Sequence, residues 1–243
     1  MVTASDSLSS RPKMLPVVDS ILRGRYTSQE SLAAGRVDVE AGVLVRVGLV
    51  LGVVYGASLG AFGLSHGGDQ AWLQLLASAA KLPLLFFLTL VVTFPSLYVF
   101  SALQRSPLRP LATLRLLLVA IVVDVAVLAS LGPVFAFFAV STQSYQFLLL
   151  LNVAFCTCAG VISLVVLRRA TNVVFEGGDK KQSHAARRVI VVWCVVYGSV
   201  GAQMGWLLRP FLGAPGVPFQ LFRERGSSFF ECVLLTLRHL LSN

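Results

Sequence analysis

The sequence is poor in residues that do chemistry in water. Charged side chains make up 13% of the 243 residues, with only 11 Asp and Glu, 3 His and 4 Cys. It holds no H-E-x-x-H and no glycine loop followed by Lys and Ser or Thr, so the common metalloprotease and nucleotide-binding signatures are excluded. No catalytic residue, cofactor site or metal site is therefore assigned, and the chain reads as a non-enzyme. Cys156, Cys158, Cys194 and Cys232 lie in or beside apolar stretches. They read as free packing thiols rather than a disulfide framework. Cys156 and Cys158 stand about 200° apart on a helix and do not converge on one metal. His66, His184 and His239 are isolated from one another. The first 15 residues, with Ser9, Ser10, Arg11, Pro12 and Lys13, lack the apolar core of a cleavable signal peptide, so the first span is expected to act as an uncleaved anchor.

What the chain has in quantity is apolar length. Hydrophobic residues make up 56% and mean hydropathy is +0.80, outside the range of soluble domains. A bilayer core of about 30 Å needs roughly 20 apolar residues as helix, because lipid cannot satisfy free peptide groups. Five stretches qualify: about Val47 to Leu64, Leu82 to Leu103, Leu116 to Val134, Phe147 to Leu167 and Val189 to Leu208. The expected fold is all-α, a polytopic membrane bundle of five helices with short interfacial helices at both ends. Residues 1–40 form an N-terminal tail, 41–209 the bundle, and 210–243 an interfacial segment rich in proline and aromatics.

The 20 Lys and Arg give a net charge of +9, but they sit between apolar runs rather than on one soluble face. Nucleic acid is excluded as a partner on that ground. Alternate assignment of the connecting segments puts 15 basic residues on the side of the N-terminus and 5 on the other. The positive-inside rule then predicts a cytoplasmic N-terminus and a C-terminus on the opposite side. Arg168-Arg169 and Arg187-Arg188 bracket one polar connection; they serve as topology anchors or as contacts to anionic headgroups.

Small residues carry the clearest packing signal. Gly48, Gly52, Gly56 and Gly60 recur every four residues and form one slowly drifting groove, a glycine zipper that admits a neighbouring backbone. Its partner is either another span or a second copy. Gly198, Gly201 and Gly205 in the fifth span offer one internal candidate. Pro95 is expected to kink the second span and to free the Val91 carbonyl, with Thr93 and Ser96 hydroxyls helping to satisfy it. Gly132-Pro133 is expected to end or bend the third, placing Phe135, Phe137 and Phe138 at the interface. The uncharged Ser141–Tyr145 turn predicts a tight hairpin.

Asp124 is the one carboxylate inside a span, and its ionised form costs about 3 kcal/mol there even on the lenient insertion scale. It must face protein or water, find a partner or stay protonated. Asn152 and Gln203 are the polar residues positioned to hydrogen-bond it. Beyond the fifth span, Arg209 before Pro210 should stop the helix, with Trp206 and Phe211 as aromatic anchors. Capping boxes at Thr27/Glu30 and Ser228/Glu231 predict short amphipathic helices near each end, the second carrying the apolar Phe229–Leu241 segment.

The Lys81–Leu90 stretch, Phe94-Pro95-Ser96-Leu97-Tyr98 and the Gln203–Phe211 stretch resemble uncharacterised bacterial multi-pass membrane proteins that are loosely similar to the Yip family of Rab-interacting membrane proteins. The resemblance extends from about Arg36 to the end. It implies a cytoplasmic N-terminus, five spans, and a role in membrane organisation or trafficking through protein partners. The D-L-Y-G-P signature of eukaryotic members is absent, so neither Rab binding nor any family site residue is carried over. Two functional expectations follow. One is a membrane scaffold or accessory subunit that binds lipid and either another membrane protein or a second copy; the other is a small transporter or channel component using Asp124.

Overall fold

A computed structural model of the chain describes residues 40–66, 71–103, 110–175, 180–212 and 238. These residues are helical apart from short connections, and no strand occurs among them. The helices are α1 (Ala41–His66), α2 (Ala71–Leu103), α3 (Pro110–Ser141), α4 (Tyr145–Phe175) and α5 (Lys180–Leu208). Each contains a stretch long and apolar enough to cross a bilayer. The chain is a multi-pass integral membrane protein. Both expected interfacial helices lie outside the described residues, as do Cys232, His239 and the two capping boxes.

Spans two and three are longer than hydropathy alone indicates. The membrane-length part of α2 is Ala71–Val99, starting well before Leu82, and that of α3 is Thr113–Ser141, continuing past Val134. Gln74, Ser78 and Lys81 lower the local hydropathy and mask the start of α2, although the backbone stays helical through all three and through Pro83. Gly132-Pro133 neither ends nor breaks α3, which continues for two more turns. Phe135 is consequently fully buried rather than interfacial, while Phe137 remains 65% exposed on the lipid side. The α3–α4 connection is the expected hairpin. The Thr142 amide donates to the Phe138 carbonyl, and the Ser144 hydroxyl caps α4 by accepting from the Phe147 amide at 3.3 Å.

Packing order follows from where small residues permit close approach. α1 packs against α2 and α3, α4 lies on α3, and α5 lies on α2; α4 and α5 touch each other only sparsely. The side on which α1 begins is here the near side. A near-side core joins Leu44 and Val47 of α1, Leu90 and Leu97 of α2, Leu116 to Val123 of α3, Leu167 of α4 and Trp193 of α5. A far-side core joins Tyr55, Leu59 and Phe62 to Leu82, Leu128, Phe135, Leu148 and Ala159. Tyr55, Phe135 and Phe155 link three helices there through edge-to-face ring contacts with centroids 6.3 and 6.4 Å apart.

The glycine groove of α1 is filled by α2. A methyl group placed on Gly56 would lie 2.5 Å from the Ser78 carbonyl oxygen and 2.8 Å from the Ala79 Cα. On Gly60 it would meet the Leu75 Cα at 2.6 Å, on Gly52 the Pro83 Cβ at 2.9 Å, and on Gly48 the Phe87 ring at 2.9 Å. At Gly52, Gly56 and Gly60 a side chain would meet the α2 backbone, so the two backbones come together because these positions are glycine; at Gly48 it would press on the Phe87 ring. α5 is not the partner of this groove. Gly201 and Gly205 instead look toward Thr89 and Leu85 of α2 at ordinary contact distance, and Gly198 has nothing within 4 Å. Helix α2 therefore sits between α1 and α5.

Candidate intramembrane sites

Asp124 projects from α3 between turns of buried valine and isoleucine. Its Oδ1 atom is buried, and the side chain has no hydrogen-bond or ion-pair partner among the described residues. The rest of the residue is half-buried. The polar side chains within the other spans include Tyr55 on α1, Asn152 and Cys156 on α4 and Tyr197 on α5.

These groups are engaged elsewhere. The Tyr55 hydroxyl donates to Asn152 Oδ1 at 2.9 Å, joining α1 to α4. Asn152 thus pairs with Tyr55 rather than with Asp124, and the Cys156 thiol lies 3.9 Å from the same Asn152 oxygen. The Tyr197 hydroxyl donates to the Phe86 carbonyl at 3.1 Å, joining α5 to α2. Ser163 donates to the Ala120 carbonyl at 2.6 Å, joining α4 to α3. Gln203 is not bonded to Asp124 either; it lines a shallow groove on α5 with Ser199, Val200, Met204 and Leu207.

Around Pro95 the hydroxyls act differently from expectation. Thr93 donates to the Thr89 carbonyl and Ser96 to the Thr93 carbonyl, each at 2.7 Å, so neither reaches Val91. The Trp193 indole also donates to the Thr93 carbonyl, at 3.1 Å, and ties α5 to α2 near the proline. Such back-bonding keeps hydroxyls satisfied in lipid without a partner from another helix.

A second polar cluster stands at the far end. Gln74, Ser78 and Lys81 occupy successive turns on one face of α2, and all three are buried. Gln74 Nε2 donates to the Pro210 carbonyl at 3.0 Å, Lys81 Nζ to the same oxygen at 3.5 Å, and Ser78 Oγ to the Phe211 carbonyl at 2.5 Å. They clasp the chain where α5 ends at Leu208. Pro210 follows a cis peptide bond and lies beyond the helix, and its carbonyl needs donors that lipid lacks. Arg209 places its guanidinium 3.5 Å from the Trp206 ring centroid, a cation–π contact. Trp206 is buried in the fold rather than seated among headgroups, and Phe211 packs partly against the far-side core.

Sequence reading picked out Asp124, Asn152 and Gln203 but missed Tyr55, Tyr197 and the clasp. The tyrosines look like ordinary interfacial aromatics in a hydropathy profile. The clasp residues had a detectable signal, because positions 74, 78 and 81 share one helical face once α2 is extended backward. Cys156, Cys158 and Cys194 are free thiols, and no metal-ligand cluster occurs among the described residues.

These features define a five-span membrane protein whose polar groups mostly bind its own helices together. Comparisons with protein-family models, curated proteins and solved structures find no match to this chain.

Proposed function

We propose that the protein is a non-enzymatic membrane scaffold or accessory subunit that acts through helix contacts made by α4 and α5. The observation carrying this reading is the contrast between filled and open glycines. Every glycine of the α1 groove is occupied by α2, whereas Gly160 on α4 and Gly198 on α5 have nothing within 4 Å. In the apolar centres of the spans, 56% of the residues of α3 are buried but only 11% of those of α4 and of α5, so those two helices are the least enclosed by the bundle. Small residues on such a surface allow close approach of another helix, a second copy or a different membrane protein. The resemblance to Yip-type proteins agrees with this role.

The charge pattern supports a cytoplasmic N-terminus, and the resemblance to bacterial multi-pass proteins favours a bacterial inner membrane. With Lys81 inside α2, the far side loses the one basic residue assigned to its first connection. Arg168 and Arg169, exposed where α4 approaches the near side, suit contact with anionic headgroups.

The test is purification of tagged protein from its own membrane in mild detergent or nanodiscs, with the mass of the intact assembly and identification of what stays bound. A stoichiometric partner lost on Gly160→Leu or Gly198→Leu, with the monomer still folded, supports the scaffold. A lone monomer counts against it. The unpartnered Asp124 favours a second reading, a small transporter or channel component. That reading requires Asp124→Asn to abolish flux into proteoliposomes while leaving assembly intact; the scaffold reading requires the substitution to do little.

A further inference from the structure

We propose that the outer face of α5 is a dimer interface for a second copy of this chain, with Val192, Val196, Ser199 and Gln203 as its seam and the Gln203 amides of the two copies paired across a twofold axis. The inference rests on the scaffold reading and names its partner and its contact surface.

One face of α5 is committed to the bundle. Trp193, Tyr197, Gly201 and Gly205 recur every four residues and all turn to α2, the two aromatics by hydrogen bonds to its carbonyls and the two glycines by contact with Leu85 and Thr89. At 100° per residue the seam positions lie about 150° round the helix from them. Val192, Val196 and Ser199 are accordingly exposed, and Gln203 is half-buried. Their spacing of four, three and four residues is that of a heptad seam, which suits a left-handed pair of helices rather than the close right-handed crossing of small residues.

Two polar groups on this face lack a partner. Gln203 lies about 18 Å along the axis from the near end of the Val191–Leu208 span and about 8 Å from its far end, and its Cα–Cβ bond tilts back toward the helix N-terminus, away from the closer interface. Neither its amide nor the Ser199 hydroxyl one turn away has a hydrogen bond among the described residues. The exposed hydroxyls of Ser130 and Thr157 behave differently, each returning to a carbonyl of its own helix, at 2.7 and 2.8 Å. Lipid tails offer neither donor nor acceptor, so an amide at this depth gains by meeting another helix.

A second copy fits this face better than an unlike helix does. Copies inserted with one topology run parallel, and a twofold axis along the membrane normal sets each seam residue against its own counterpart. A primary amide carries two donor hydrogens and an acceptor oxygen, so two Gln203 side chains complete each other's bonds. The Val191–Leu208 span holds no charged residue, and like charges therefore do not meet when two copies approach. Helix α4 touches α5 only sparsely and leaves the seam uncovered.

The test is energy transfer between donor- and acceptor-labelled full-length chains in proteoliposomes, over a range of protein-to-lipid ratios. Transfer is expected to rise and saturate as a dimer. Gln203→Leu, whose side chain suits lipid, should weaken association about tenfold, the worth of one or two interhelical hydrogen bonds. Gln203→Asn, which keeps an amide, should associate more tightly than Gln203→Leu. Thr157→Val, which removes a polar group from the exposed face of α4, should change nothing. A chain that stays monomeric at every ratio would overturn the proposal, as would a dimer indifferent to Gln203→Leu or weakened equally by Thr157→Val. A chain monomeric alone but recovered from its own membrane in a stoichiometric complex with a different membrane protein overturns the α5 dimer and leaves the scaffold reading standing; a chain monomeric in both settings overturns both.

Discussion

The α1–α2 contact and the outer faces of α4 and α5 both carry glycines and behave oppositely. Gly48, Gly52, Gly56 and Gly60 are filled by α2, whereas Gly160 and Gly198 face open space. The difference lies in period and in what stands opposite. Four glycines at steps of four make a continuous groove, and α2 presents Leu75, Ser78, Ala79, Pro83 and Phe87 along its length. Gly160 is the single glycine of α4, and Gly201 and Gly205 of α5 meet α2 at ordinary contact distance. Lipid tails are as apolar as leucine, so helices in a membrane adhere where backbones fit closely and where polar groups pair. The first interface has the fit. From α4 and α5, side-chain hydrogen bonds run instead to α1, α2 and α3, as those of Tyr55, Tyr197, Trp193 and Ser163 show.

Substitutions that exchange the character of these two regions rank by size. Gly56→Leu should be the most damaging, because its side chain must displace the backbone of Ser78 and Ala79. We expect a loss of about 3 kcal/mol or no folded protein at all, read by unfolding in bicelles. Gln74→Ala should come next, at about 1 to 2 kcal/mol, by removing a buried donor from the Pro210 carbonyl. Its readout is faster proteolysis just beyond Leu208, with the α1–α2 contact unchanged. Tyr55→Phe, which cuts only the bond to Asn152, should cost about 0.6 kcal/mol, the usual worth of an interhelical hydrogen bond in lipid. Gly198→Ala should leave monomer stability within about 0.5 kcal/mol, since nothing stands near enough to clash. If Gly198→Ala proved as harmful as Gly56→Leu, that face of α5 would be as tightly filled as the groove and the comparison would fail.

Much of the architecture was legible in the sequence. Apolar length fixed five helices, and the uncharged turn before Tyr145 marked the α3–α4 hairpin. The glycine period identified the face of α1 that makes the closest approach, but it could not identify the occupant, because a groove specifies a shape and not an address. Span ends were misread where polar residues stay inside. Lys81 reads as a boundary by charge, yet its ammonium reaches the Pro210 carbonyl within the fold. Asp124 stood out by charge alone. Its lack of a partner did not, since Asn152 pairs with Tyr55 of α1, a residue far from both in the chain.

The uneven lengths of the spans have a consequence for how the helices stand in the lipid. The apolar part of α2, 29 residues, measures about 44 Å along its axis, whereas that of α5, 18 residues, measures about 27 Å. These two helices lie side by side. A helix of the longer kind fits a bilayer core of about 30 Å by tilting, and one of the shorter kind by standing upright, so the unequal lengths favour different tilts for two helices that pack together.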